Sequence, residues 1–286
     1  MIMATVKTVR LNKWSIPAFV ILIIWAILSF VPIFWMLVAA FTPSTFLLQV
    51  PPKISLQNFG LENFQRLFSQ ETIQNQIYLG QWFLNTLIVS GSVTIFNVFF
   101  DMLAGFAFAR RNFPGRDILF IILMSSVMIP GMVTMLPLFS MIVSLHLYNT
   151  LWAIILPNLS SPFGIFLMRQ YIRSLPDSLE DAAKIDGASE FLIFFRIILP
   201  LSIPIMAVWA IFTFMAQWNN FLWPLIVINS PSKYLLQVGL STFQTKFSTD
   251  YGLTMAGTAL SAAPMVAFFF IFQKYLNQGI TMGDIQ

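Results

Sequence analysis

The chain contains no cysteine and a single histidine, His146. Disulfides, thiolate nucleophiles, zinc cages and iron–sulfur ligation are excluded, and so is a metal site built on paired histidines. Charge is almost as scarce: 9% of the 286 residues are Asp, Glu, Lys or Arg, against about 25% in an ordinary soluble domain. In their place stand 31 Phe, 15 Met and 8 Trp, with 58% of all residues apolar and a mean hydropathy of +0.80. One compact core cannot hide that much apolar surface, so lipid is the solvent for much of it. Disorder and nucleic-acid binding are excluded by the same composition. The net charge of +4 is informative through where the basic residues sit, not through its sum.

Catalytic motifs are missing as well. No Lys follows a Gly anywhere in the chain, so there is no phosphate-binding Gly-x-x-x-x-Gly-Lys-Ser/Thr loop and no ATPase of its own. Neither His-Glu-x-x-His nor an intramembrane-protease motif occurs. The chain reads as a non-enzyme that carries no cofactor.

What is present is long apolar sequence. A crossing needs roughly 20 mostly apolar residues, and the charge-poor stretches supply six, at about 16–41, 82–109, 118–143, 151–171, 197–229 and 252–272. The first follows Lys7, Arg10 and Lys13 and is too long for a secretory signal, so it reads as a retained anchor. From Asp117 to Arg169 no charged residue intervenes, which is too long for one crossing; the break falls at the polar Ser144–Thr150 segment with His146. Pro130, Pro137, Pro157 and Pro162 lie in these stretches, and Pro200, Pro204 and Pro224 in the next, so kinked helices are expected.

Counting basic residues in alternate loops puts eleven on one side (Lys7, Arg10, Lys13, Arg110, Arg111, Arg116, Arg169, Arg173, Lys184, Arg196, Lys274) and four on the other (Lys53, Arg66, Lys233, Lys246). Both termini are therefore expected in the cytoplasm. The sequence predicts an all-α integral membrane protein, a single transmembrane domain over residues 1–286 with no separate soluble domain. Its largest exterior loop, Thr42 to Gly80, holds a Pro51-Pro52 break and a short amphipathic stretch, Leu61 to Phe68, suited to the membrane surface.

The most distinctive loop lies between spans four and five, where residues 174–200 read as two short helices. Asp177 can cap the first, with Glu180 three residues later in a capping-box arrangement, and Glu180 and Asp181 favour the N-terminal dipole. Gly187 stops it as a C′ residue. Ser189 can cap the second, whose Phe191, Phe194, Phe195 and Ile198 fall at helical spacing. Leu179, Ala182 and Ala183 make a small apolar face on the first. Such a face fits closely into a groove on another protein at little side-chain entropy cost, or rests on lipid; the residues alone leave both open.

The segment resembles the EAA motif of permease subunits in binding-protein-dependent ABC importers: Asp181-Ala-Ala, Gly187 six positions after the Asp, nine residues, then Ile197-x-Leu199-Pro200. The one departure is Asp181, where the family usually has Glu; Glu180 stands beside it as a second acid. Within those importers the chain is similar to the second permease of the maltose-type carbohydrate group over roughly residues 14–286. The matching phrases are Leu61-Glu-Asn-Phe64, Asn85-Thr86, Leu103-Ala-Gly-Phe-Ala-Phe-Ala-Arg110, Phe113-Pro-Gly-Arg116, Trp218-Asn-Asn-Phe-Leu-Trp-Pro-Leu225 and the tail from Gln273 to Gly283.

The resemblance implies a multi-pass subunit of a bacterial plasma (inner) membrane that forms a heterodimeric pore with a second permease. It also implies two ATP-binding subunits that hold ATP and Mg²⁺, an external solute-binding protein, and a sugar, oligosaccharide or polyol-type solute. The helix from Asp177 to Gly187 becomes the coupling helix, with Glu180, Asp181, Ala182, Ala183, Asp186, Gly187 and Pro200 as the ATPase-coupling residues.

Sugar sites pair aromatic faces with amide and hydroxyl groups, which makes Asn85, Asn97 and Asp101 in span two and Gln217, Trp218, Asn219, Asn220 and Trp223 in span five the substrate-path candidates. Interhelical hydrogen bonding and an aromatic belt would account for the same residues. Asp101 is the one charge well inside a crossing, where an ionised carboxylate costs roughly 2.5–3.5 kcal/mol on insertion scales. It is either a proton or substrate site, the former as in an ion-coupled secondary transporter, or a carboxylate hydrogen-bonded to hydroxyls or to a neighbouring helix. The loop from Ser230 to Asp250, with Pro231, Lys233, Tyr234, Gln237, Gln244 and Lys246, faces the exterior and by resemblance reaches toward the binding protein.

Overall fold

The computed structural model describes residues 15–53, 55–69, 74, 76–243 and 250–281. Lys7, Arg10, Lys13, Gln244, Lys246, the side chain of Lys274 and the last residues of the tail lie outside them. Every regular element among the described residues is helical, and the chain divides into two compact units, residues 1–67 with 247–259 and residues 68–246 with 260–286.

The first unit is built on α1 (Ser15–Ala40), a helix apolar on every side, which is the pattern of a membrane span, since an amphipathic surface helix keeps one polar face. Only its last turn is buried, through Val38, Ala39 and Ala40. That turn leaves carbonyls without helical partners, and Asn63, in α2 (Glu62–Leu67), donates to the Ala40 carbonyl at 2.9 Å and the Thr42 carbonyl at 3.0 Å.

Asp250 closes the same unit. Its carboxylate accepts from Ser44 Oγ at 2.6 Å, from the Leu253 N–H at 3.0 Å and from Arg66 at 2.7 Å, so it caps the helix that begins at Tyr251. Burial alone pushes the Asp250 carboxyl up, but the bonds from Ser44, the Leu253 amide and Arg66 outweigh it and hold the group below its ordinary 3.8. A depressed carboxyl stabilises the fold above its unfolded value, and that contribution is lost as pH falls through the folded value. Exchange of the Gly252 and Leu253 amides, corrected for intrinsic rate, is therefore expected to accelerate as pH drops below about 4. Asp250→Asn should remove the pH dependence.

The second unit is organised around α3 (Leu79–Arg110), 32 residues and roughly 48 Å long at ~1.5 Å per residue. One stripe of it is buried: Trp82, Thr86, Val89, Val93, Asn97, Asp101, Met102, Gly105 and Phe106 recur at three- and four-residue spacing. After α3 come α4 (Arg116–Ser126) and α5 (Gly131–Ser144), then a single turn at Trp152–Ile155 and α6 (Pro162–Ser174). The loop helices α7 (Ser178–Ile185) and α8 (Glu190–Leu201) lead into α9 (Ile203–Trp218), followed by α10 (Leu222–Val227), α11 (Leu236–Ser241) and α12 (Tyr251–Thr281), whose first turns belong to the first unit.

Among the described residues, helices α1, α3 and α12 are each long and apolar enough to cross a membrane; α4 with α5 and α8 with α9 bring that count to five if each bent pair is one span. The bends are sharper than kinks. Helices α4 and α5 meet at 100° around Pro130, and α8 and α9 at 72° around Ser202. Proline lacks the donor and disfavours helical geometry in its predecessor, and before Pro130 the freed carbonyls of Met124, Ser125 and Ser126 accept instead from the N–H groups of Val127, Met128 and Ile129. Before Pro200 the chain widens into a π turn at Phe194–Ile198. Pro224 neither bends nor ends a helix; it is buried inside α10, and the interruption falls at residues 219–221.

The predicted break at Ser144–Thr150 holds. His146 and Asn149 both take left-handed backbone geometry there. Asn149 Oδ1 accepts the N–H groups of Asn229 and Ser230, its own N–H reaches the Val227 carbonyl at 2.8 Å, and Lys233 donates to its carbonyl. This clasp closes over a core of Val89, Val93, Ile142, Ile154, Trp223 and Val227. A second core, of Met102, Phe106, Met168, Ile172, Ile193, Phe194 and Ile198, lies toward the loop helices.

Candidate functional site

The loop helices carry the sequence motif, and their local chemistry follows the sequence closely. The turn after α7 is a complete Schellman motif: Gly187 has φ +76°, its N–H donates to Lys184 at 3.0 Å, and the Ala188 N–H donates to Ala183 at 2.9 Å. Ser189 Oγ accepts the Leu192 N–H and caps α8. Asp177 sits at the N-cap of α7 without a side-chain cap bond, because its carboxylate pairs with Arg110 instead.

Glu180 and Asp181, adjacent in sequence, face opposite ways. Asp181, Ala182, Ile185, Asp186 and Gly187 are exposed, Ile185 to 86%, and Ala183 is half-buried. Glu180, expected beside Asp181 as a second outward acid, turns inward. One of its oxygens lies 3.2 Å from Arg110 Nε and the other 3.2 Å from Arg111, with the Glu180 and Arg110 side chains only 6% and 9% exposed. Arg110 also donates to the carbonyls of Ile172 and Leu175 at the end of α6, and Arg111 pairs with Glu190 at the start of α8 while its guanidinium lies 4.5 Å from the Phe106 ring centroid. Arg110 closes one of the family-like phrases and Arg111 follows it, but nothing in the sequence paired either with Glu180. Pro200 is exposed at the junction with α9.

Around these groups lies an open cleft of about 460 Å³, lined by Arg110, Arg116, Arg173, Asp177, Asp181 and Lys184 among others. Beside it Arg116 pairs with Asp117 at 3.0 Å, and its hydrogen bond and charge hold that carboxyl below the usual carboxylate range.

The substrate-path candidates divide into those engaged by structure and those left open. Asp101 is fully buried. It accepts from Ser160 Oγ at 2.6 Å, the Ser161 N–H at 2.9 Å, Ser161 Oγ at 3.4 Å and Trp209 Nε1 at 2.9 Å, all uncharged donors. Trp209 shares its N–H with Asn97 Oδ1 at 2.8 Å, and Asn97 donates to the Asn158 carbonyl. The joint thus links α3, α9 and the start of α6 in the hydroxyl-bonded arrangement foreseen as one of its two readings. Trp209, which closes it, was not among the sequence candidates; an indole inside an apolar run gives no signal until its partner is known.

Asn85 donates to the carbonyls of Ser232 and Tyr234, Trp218 to Ser261 and Trp223 to Ala153. Gln217 is buried and accepts from Asn220. Asn219 is exposed, its amide turned back to the Met215 carbonyl. At the break between α9 and α10, then, Asn219 and Asn220 are the polar candidates that reach the surface.

Two glycines set how closely the helices approach. A Cβ on Gly105 would lie 2.6 Å from Met168 Cβ, and one on Gly164 would lie 1.8 Å from Asp101 Oδ2 and 2.5 Å from Trp209 Nε1. Small residues at such crossings are the usual means of close helix packing in membranes.

Apolar helices that need lipid, packed around a buried polar joint and followed by a capped loop helix with an outward face, are the features of a multi-pass membrane protein. Residues 101–282 match the family described as binding-protein-dependent transport system inner membrane component, and the chain belongs to that family.

The chain is 36% identical over 263 residues to the arabinooligosaccharides transport system permease protein of Bacillus subtilis, covering 91% of this chain and 92% of that one. It is 31% identical over 279 residues to the lactose transport system permease protein of Rhizobium radiobacter, covering 98% and 99%. A solved bacterial ABC transporter involved in the import of the acidic polysaccharide alginate contains a chain that shares the fold, with a TM-score of 0.81 at 20% identity, covering 94% of this chain and 99% of that one. The protein is a permease subunit of a binding-protein-dependent ABC importer and is not itself catalytic.

Proposed function

We propose that the chain crosses the membrane six times with both termini in the cytoplasm and forms, with a second permease, the path for a sugar, oligosaccharide or polyol-type solute. Two ATP-binding subunits, which hold the ATP and Mg²⁺, dock on the cytoplasmic side. An extracytoplasmic solute-binding protein delivers the solute on the other. The carbohydrate class rests on the names of the relatives, which transport arabino-oligosaccharides and lactose. A binding-protein partner is favoured by the related alginate transporter, solved in complex with an alginate pentasaccharide-bound periplasmic protein at a TM-score of 0.64.

The observation that carries the coupling role is the outward face of α7. It is a two-turn helix closed by the Gly187 turn, and Asp181, Ala182 and Ile185 leave it together. That face seats in a cleft of the ATPase, and closure of the ATPase dimer on ATP shifts the balance between inward-open and outward-open states. Asn219 and Asn220 at the α9–α10 break are the residues of this subunit placed to meet solute; Asn97, Asp101, Trp218 and Trp223 join separate segments of the bundle, and Asn85 holds the loop at Ser232 and Tyr234.

Because the chain has no cysteine, Ala182→Cys introduces a unique attachment point. A cross-linker at this position in native membranes is expected to capture an ATP-hydrolysing subunit, identified by mass spectrometry. Consistent failure to do so would remove the coupling assignment.

A further inference from the structure

We propose that Glu180 is a positioning residue that ties the coupling helix to the end of α3, so that movement of α7 reaches the α3–α6 pair directly and not only through the chain leading to α9. The inference rests on the reading of α7 as the ATPase contact.

By the covalent route, α7 is joined to α6 through the short link 175–177, extended at Leu175, and to α9 through two soft joints, and none of these passes through α3. Of the soft joints, one is the left-handed turn at Gly187, the other the 72° bend at Ser202. A displacement of α7 passing through them alone would be absorbed by α8 swinging about Ser202. The ionic route has no such joint. Both Glu180 oxygens are engaged, one by Arg110 and one by Arg111, which are the last residue of α3 and its successor. Arg110 simultaneously holds Asp177 and the closing carbonyls of α6, so one guanidinium gathers the ends of α3 and α6 and the start of α7.

From there the path is stiff. Helices α3 and α6 are in backbone-close contact at Gly105–Met168 and Gly164–Asp101, and packed interiors transmit displacement instead of absorbing it. An apolar contact in place of Glu180 would let α7 slide along its neighbour. Arg111 holds one oxygen of the Glu180 carboxylate by a hydrogen bond at 3.2 Å, which sets its direction, and Arg110 adds a buried ion pair at 3.2 Å to the other. The adjacent acids thereby divide the work, with Asp181 facing the partner and Glu180 facing the bundle.

The test uses the assembled complex, with ATP and vanadate as the trigger, and nitroxide labels on Ile95→Cys in α3 and Phe195→Cys in α8, both exposed positions. In the otherwise unaltered protein both labels are expected to change accessibility on trapping. In Glu180→Gln the α8 label should still respond, while the α3 response falls at least twofold and ATPase subunits remain bound. Arg111→Gln should lower the α3 response as well, because Arg111 makes the hydrogen bond to Glu180. In Arg111→Cys/Glu180→Cys, with Ile95 carrying a non-thiol label, a short bifunctional methanethiosulfonate bridge should restore the α3 response.

Equal loss at both labels, an undiminished α3 response in Glu180→Gln, or no recovery on bridging overturns the tie. Failure of the tie leaves ATPase subunits in the preparation. Their absence from the unaltered complex overturns the coupling reading beneath it, and the tie with it.

Discussion

Gly187→Val is expected to abolish solute uptake, a fall of tenfold or more in initial rate, while the protein still inserts and accumulates in the membrane. The argument is confined to the backbone. A Cβ at Gly187 meets nothing within 4 Å, but the residue holds φ +76°, a region that costs an ordinary L-residue roughly 1–2 kcal/mol and a β-branched one more. Relieving the strain surrenders the bonds of Gly187 to Lys184 and Ala188 to Ala183, each worth about 1 kcal/mol. The helix they close has only eight residues, too few to persist without its ends. Gly187→Asn, which tolerates left-handed geometry, should retain most uptake. Rapid uptake by the valine variant at unchanged abundance would show that the turn geometry is dispensable.

Gly164→Ala is expected to be strongly destabilising for a single added methyl. The new carbon falls 1.8 Å from Asp101 Oδ2 and 2.5 Å from Trp209 Nε1, so either α6 withdraws from α3 or the carboxylate leaves its donors. Overpacking costs about 1–3 kcal/mol, and a buried charge robbed of its partners roughly 3–5 kcal/mol. At ~2–4 °C per kcal/mol, thermal unfolding of the detergent-solubilised protein should move down by roughly 10 °C. Gly91→Ala in α3, whose Cβ meets nothing within 4 Å, is the control and should be neutral or slightly stabilising. Gly164→Ala/Asp101→Ala should recover part of the loss, because the buried charge goes with the clash. A Gly164→Ala protein as stable as the control would mean that the two helices stand further apart than the buried joint requires.

The sequence foretold what is local and missed what is distant. Helices α1 and α3 begin and end within about three residues of the apolar stretches at 16–41 and 82–109, because a long charge-poor run is itself the signal there. The Gly187 stop and the Ser189 cap were legible because each bonds within five residues of itself. The prolines announced interruptions without their angles, since a missing donor states where a ladder fails and packing decides where the chain then goes. Glu180 looked like half of a capping box; its actual partner stands 69 residues away, and Trp209 meets Asp101 across 108. No periodicity encodes such pairs.

The two ends of the second unit are fastened by unlike means. The Asn149 clasp is made chiefly of uncharged hydrogen bonds to backbone, which dissolved salt scarcely weakens. The opposite fastening is ionic and layered. Its outer acids, Asp177 and Glu190, have side chains 80% and 58% exposed and sit within reach of screening ions, whereas Glu180 is shielded. Raising ionic strength therefore loosens one end alone, and there peels the rim before the centre, giving the experimenter a graded handle on the loop-helix fastening with the Asn149 clasp left intact.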